Sequence, residues 1–133
     1  MQQDKQCKGV TIGIVGYGSA GKKHLKILKD LRPKNRHIVM SKHASPEEVK
    51  KDGAVLVRSI ESLVSTSPRI VLICTDAASH GCHIVRLCNS GAKVVIEKPL
   101  AAKLTQSTLI IEQTNEIVDR PVVAYNLRFL KAS

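Results

Sequence analysis

The sequence predicts an α/β domain built on a doubly wound parallel sheet of about six strands in the order 3-2-1-4-5-6. Three observations lead there. Short aliphatic runs alternate with stretches of helical period along almost the whole chain. The runs are near-continuous in Val, Ile and Leu, the pattern of strands covered by helices on both faces. The 133 residues are 43% hydrophobic but only 2% aromatic, enough for one core, which must then be aliphatic.

The elements follow in order. Residues 1–8 are polar and read as a leader, so the fold is expected to occupy residues 9–133. A strand over Val10–Val15 leads into a helix over Ser19–Leu31, and His37–Met40 into a helix over Pro46–Lys51. Val55–Val57 precedes a short helix over Ile60–Ser65. The second half repeats the alternation: Ile70–Cys74 and a helix over His80–Asn89, Val94–Ile96 and a helix over Leu104–Asn115, and finally Val122–Tyr125. Each parallel strand needs a right-handed crossover, which places helices on both sheet faces.

Charge and cysteine usage limit the function classes. Lys and Arg number 21 against 11 Asp and Glu, a net charge of +10 that attracts anions of any kind. One Phe, two Tyr and no Trp leave few stacking platforms, so no nucleic-acid partner is expected. Lys22, Lys23, Lys26 and Lys29 read as the wet face of the first helix. The four cysteines show no CxxC pair and no signal peptide precedes them, so a reduced cytoplasmic setting is expected. His80, Cys82, His83 and Cys88 do not share one helix face, so no metal site is expected, and no apolar run approaches the length of a membrane span.

The strongest motif is GYGSAG, formed by Gly16, Tyr17, Gly18, Ser19, Ala20 and Gly21 between the first strand and the first helix. In such a turn the first glycine permits the bend and the second lets backbone approach a pyrophosphate. The third lets the helix pack against the strand, while free N–H groups at the helix start face the phosphates. The setting points to a nicotinamide dinucleotide. About 20 residues on, where an NAD site carries an acid for the ribose 2′-OH, the chain has Ser41, Lys42 and His43. A hydroxyl, an ammonium and an imidazole offer donors to a 2′-phosphate, so NADP is expected ahead of NAD; the alternative is a solvated loop tip.

Together GIVGYGSAGKKH, ICTDAASH, GAKVVIEKPLA and AYNLRF make the chain resemble the N-terminal domain of the glucose-fructose oxidoreductase and inositol dehydrogenase family over residues 9–130. The resemblance implies a Rossmann-type NAD(P)-binding domain of an oxidoreductase that acts on sugar-like or polyol hydroxyls or carbonyls. It implies that Lys98 of Glu97-Lys98-Pro99 reaches the active centre as the catalytic residue. It also implies that Thr75, Asp76 and His80 flank the nicotinamide and that Asn126 and Arg128 stand at the mouth of the site. The family's proline-rich loop start is Thr75-Asp76-Ala77 here. The family's substrate domain, with its acid and base, is expected to be absent, leaving a domain competent to bind but inactive alone. A substrate and an oligomer would then belong to a longer protein. A stand-alone dinucleotide-sensing module is the alternative reading. For Glu97 and Lys98 an ordinary surface ion pair is the alternative.

Overall fold

Backbone pairing turns each aliphatic run into a parallel strand. The computed structural model describes residues 9–76, 80–98, 102–115, 117 and 121–124. Its elements are β1 (Thr11–Val15), α1 (Ser19–Leu31), β2 (Arg36–Met40), α2 (Pro46–Lys51), β3 (Val55–Val57) and α3 (Ile60–Val64). They continue with β4 (Ile70–Ile73), α4 (His80–Cys88), β5 (Lys93–Glu97), α5 (Leu104–Thr114) and β6 (Val122–Ala124). The strands form one six-stranded sheet in the order β3-β2-β1-β4-β5-β6, parallel throughout, a Rossmann-type fold as expected. From β1 the chain first builds outward through β2 and β3, then returns to lay β4 on the other side. That reversal between β1 and β4 opens a crevice at the carboxyl ends of the strands.

Successive side chains of a strand point to opposite faces, so one sheet feeds two cores. On one face Ile14 and Val39 pack with Leu25 of α1 and Val49 of α2. On the other, Val15, Ile38, Ile73 and Ile96 pack with Leu63 of α3, Ile84 and Leu87 of α4, and Ile110 of α5. The caps are local. Ser45 accepts from the Glu48 N–H ahead of Pro46, with Glu47 and Glu48 in the favourable first turn of α2, and Ser59 accepts from the Ser62 N–H to start α3.

The four lysines of α1 are not all idle. Lys22 pairs with Glu48 at 2.5 Å and the Lys29 ammonium donates to the Gly53 carbonyl at 3.0 Å, so two of the four tie α1 to α2 and to the turn after it. The face is still a wet one, with Lys22, Lys23 and Lys26 exposed and Lys29 half-buried, and it carries these two tethers as well. Among the described residues no helix is long and apolar enough to cross a membrane, and no group of three His, Cys, Asp or Glu is placed to hold a metal ion.

His37 is the polar exception within β2. It is 3% exposed, and its Nε2 finds no hydrogen-bond partner among the described residues. Burial, helped by the nearby Lys29 charge, holds its pKa below the ordinary value of 6.5. Above pH 6.5 neither folded nor unfolded chain takes up this proton; below it the unfolded chain does so first. The stabilising effect of the neutral ring is therefore present above that pH and lost as pH falls through the depressed folded value. Urea midpoints measured from pH 7.5 to pH 5 should fall, and His37→Leu should flatten that fall; an unchanged slope in the variant would dissociate His37 from the acid sensitivity.

Candidate functional site

At the exit of β1 the chain bends at Gly16, which has φ +94 and donates its N–H to the Met40 carbonyl at 2.8 Å. A Cβ on Gly16 would lie 2.9 Å from the Thr75 amide nitrogen, and one on Gly21 would lie 2.2 Å from the Gly16 carbonyl oxygen. The start of α1 is thus drawn against the end of β1. Gly18 differs from both: as N-cap of α1 it has no side-chain cap, and a Cβ there would meet nothing within 4 Å. The first-turn N–H groups of α1 have no intrahelical acceptor. No acid stands in that turn to compete for them. Ser19 is exposed and Ala20 half-buried beside them.

This turn forms one wall of a cleft of about 730 Å³ at the carboxyl edge of the sheet. The ends of β2 and β4 form the others, through Met40–Ser45 and Cys74–Asp76, with His83 of α4. The cleft lies at the strand reversal, where open parallel sheets bind ligands.

At the β2 exit, the Ser41 hydroxyl oxygen accepts from the amides of His43 at 3.3 Å and Ala44 at 3.1 Å, curling the loop over itself. Lys42 and His43 are exposed on that curl. Glu48 also lines the cleft, but its carboxylate is engaged by Lys22. Tyr17 lines the same cleft, and its hydroxyl donates to Asp52. Burial first, and that carboxylate second, push the Tyr17 phenol pKa well above its usual value, so it stays protonated. The Lys22 ammonium sits 5.6 Å from the ring centroid.

On the other side of the reversal, Thr75 and Asp76 line the cleft, with Asp76 exposed. Glu97 is the last residue of β5 itself, and its partner is His24 of α1 at 3.0 Å. The surface pair of Glu97 with Lys98 therefore does not form. Lys98 is exposed and makes no ion pair among the described residues. Burial, and secondarily Glu97, push the Cys74 thiol pKa up to about 12, which leaves it a thiol and a poor nucleophile at neutral pH.

The cleft thus gathers Gly16, Tyr17, Gly18, Ser41, Lys42, His43, Thr75 and Asp76. Glu97 and Lys98 stand at the next strand end along, after Cys74 and Thr75. His80 opens α4, and its side chain, like Asn126 and Arg128, lies outside the described residues. Three participants were not singled out from the sequence: Arg58, which donates to the Ser41 carbonyl at 3.1 Å, His24 opposite Glu97, and Asp52 opposite Tyr17. His24, one turn into the helix after the glycine turn, carried a positional signal; the other two carried none.

The model of the Gfo/Idh/MocA oxidoreductase family, NAD-binding Rossmann fold, matches residues 10–123. The chain belongs to this family. Human biliverdin reductase A is 26% identical over 92 residues, which are 68% of this chain and 31% of that protein. Among solved structures, scyllo-inositol dehydrogenase from Lactobacillus casei with bound NAD(H) and scyllo-inositol aligns with a TM-score of 0.79 at 22% identity, covering 93% of this chain and 38% of that one. The WlbA dehydrogenase from Chromobacterium violaceum, in complex with NADH and UDP-GlcNAcA, aligns at 0.80 with 19% identity, covering 92% and 36%. At these identities the structures show the fold alone. The chain spans roughly a third of the length of these relatives.

The glycine turn of this Gfo/Idh/MocA domain separates binding from folding in a testable way. Gly18→Ala should leave the denaturation midpoint near that of the wild type, because its methyl enters open space. It should weaken dinucleotide binding about tenfold, roughly 1.4 kcal/mol, by standing where phosphate must approach. Gly16→Ala should instead destabilise the fold by about 1–3 kcal/mol, from positive φ and crowding against Thr75. Equal denaturation losses in the two variants would contradict this division.

Proposed function

We propose that the chain is the cofactor-binding domain of an NADP(H)-dependent oxidoreductase, NAD(H) being the alternative cofactor, that acts on a hydroxyl or carbonyl of a sugar-like or polyol substrate. The observation that carries the reading is the open space at Gly18 beside the uncapped N-terminus of α1, at the strand reversal. Open space beside the free helix start leaves room for a pyrophosphate, and Tyr17 and Thr75 line the cleft around it. Gly16, Gly18, Ser19, Ala20 and Gly21 would hold the pyrophosphate. Ser41, Lys42 and His43 would meet the adenosine ribose, where the absence of an acid favours a 2′-phosphate.

The nicotinamide, when bound, supplies or takes up a hydride. The residues of this chain position the reactants. Thr75 and Asp76 would flank the ring, with His80, Asn126 and Arg128 contributing in the regions named by the resemblance. Lys98 extends from the end of β5 without a competing ion pair among the described residues, so its ammonium is available to a substrate oxygen on which negative charge develops. Glu97, held by His24, would fix the strand end from which Lys98 departs. Substrate closure and the proton-transfer partner are assigned to a second domain that these 133 residues do not supply. Relatives about three times as long accord with that division of labour.

Fluorescence titration of the chain should give micromolar to millimolar binding of a nicotinamide dinucleotide, about 4–8 kcal/mol. NADPH should bind about tenfold more tightly than NADH, and the preference should shrink as salt rises. Ser41→Asp should reverse the preference, since its carboxylate still accepts the loop amides while repelling a phosphate. Equal affinities in the wild type would remove the NADP assignment and leave the pyrophosphate site intact. Hydride transfer to or from polyols should stay at background in the isolated chain; turnover that depends on Lys98 would place the acid or base within it.

A further inference from the structure

We propose that Arg58, at the exit of β3, is a specificity-determining residue that grips a 2′-phosphate on the adenosine ribose, an inference that rests on reading the cleft as a dinucleotide site. The placement comes from strand pairing. Met40 and Val57 are in register, and the Ser41 amide donates to the Val57 carbonyl at 3.1 Å, so residue 58 leaves the sheet directly beside the Ser41–Ala44 curl. Its Nη1 then donates to the Ser41 carbonyl at 3.1 Å, on the residue whose hydroxyl organises that curl.

One of five guanidinium donors is spent on this contact, and Arg58 makes no ion pair among the described residues. The carboxylates of the neighbouring helix are committed elsewhere: Glu47 to the Ser45 hydroxyl at 2.8 Å, Glu48 to Lys22 and Asp52 to the Tyr17 hydroxyl. The group is therefore an exposed cation, tethered at one corner to the Ser41–Ala44 curl, and it is that curl that lines the cleft. Tethering restricts the side chain before a ligand arrives, and the planar fork suits two phosphate oxygens better than an ammonium does. The loop amides of His43 and Ala44 are already bonded to Ser41, so recognition of an anion here falls to side chains.

Calorimetric titration with 2′,5′-ADP and 5′-AMP, which differ only in the 2′-phosphate, isolates this contact from the nicotinamide half. The wild-type chain should prefer 2′,5′-ADP by about tenfold. Arg58→Gln should bring the two ligands to within about twofold by weakening 2′,5′-ADP, and Arg58→Lys, which keeps the charge but loses the fork, should fall between. Equal weakening of both ligands in Arg58→Gln would make the residue a loop strut and overturn the proposal, as would an undiminished preference. A wild type that binds 5′-AMP with no preference for the 2′-phosphate overturns the role of Arg58 and leaves the dinucleotide reading standing. A wild type that binds neither ligand removes both.

Discussion

The arrangement depends on the contact of Gly21 with the Gly16 carbonyl. With a Cβ at residue 21 only 2.2 Å from that oxygen, no side chain fits between the first helix and the end of the first strand. This close approach sets α1 over the strand reversal and aims its unpaired amides into the cleft. It also carries the next turn of the helix across the sheet edge. Leu25 is buried there against Ile14 and Val39, and His24, one residue earlier, reaches Glu97 on a strand 73 residues further along the chain. A helix displaced by one methyl group would lose both the phosphate cradle and these tethers.

The basic character of α1 takes on a second meaning in this setting. Exposed ion pairs add little stability, on the order of 0–1 kcal/mol, so the Lys22–Glu48 pair is better understood by what it does to the cleft. Glu48 lines the cleft and would repel an anion; with Lys22 on its carboxylate, that repulsion is offset. Asp52, which caps the end of α2, is similarly occupied by the Tyr17 hydroxyl. The acids on the α2 side are thus engaged, while Asp76, exposed, lines the opposite wall.

Strand and helix positions were legible because burial on both sheet faces demands unbroken aliphatic runs, and the glycine turn because its three positions have distinct steric duties. Strand ends were less so. β2 begins at Arg36 and β5 extends from Lys93 to Glu97, beyond their apolar cores, because backbone pairing continues wherever a neighbouring strand offers partners. Glu97, read as following a strand, is inside one. The links from Tyr17 to Asp52 and from His24 to Glu97 join positions 35 and 73 residues apart. Only the folded chain brings the partners together, and no local pattern pairs one with the other. Arg58 was hidden for the same reason: its neighbour Ser41 lies 17 residues away and is adjacent only through the pairing of β2 with β3.

The two ends of the cleft offer an anion different kinds of recognition. At α1 the donors are backbone amides fixed by the helix and drawn against the sheet, a dipolar site whose geometry is set by folding. At the β2 and β3 exits the His43 and Ala44 amides are taken by the Ser41 hydroxyl, and the exposed side chains of Lys42 and His43 and the tethered fork of Arg58 stand beside them. Exposed charges are screened within about 10 Å at 0.1 M salt, whereas short hydrogen bonds from a fixed helix terminus depend less on ionic strength. On the proposed reading, pyrophosphate binding would follow from the fold itself, and choice at the ribose from a few surface side chains. On that reading, substitution at the second end would change which dinucleotide is preferred without disturbing the glycine turn.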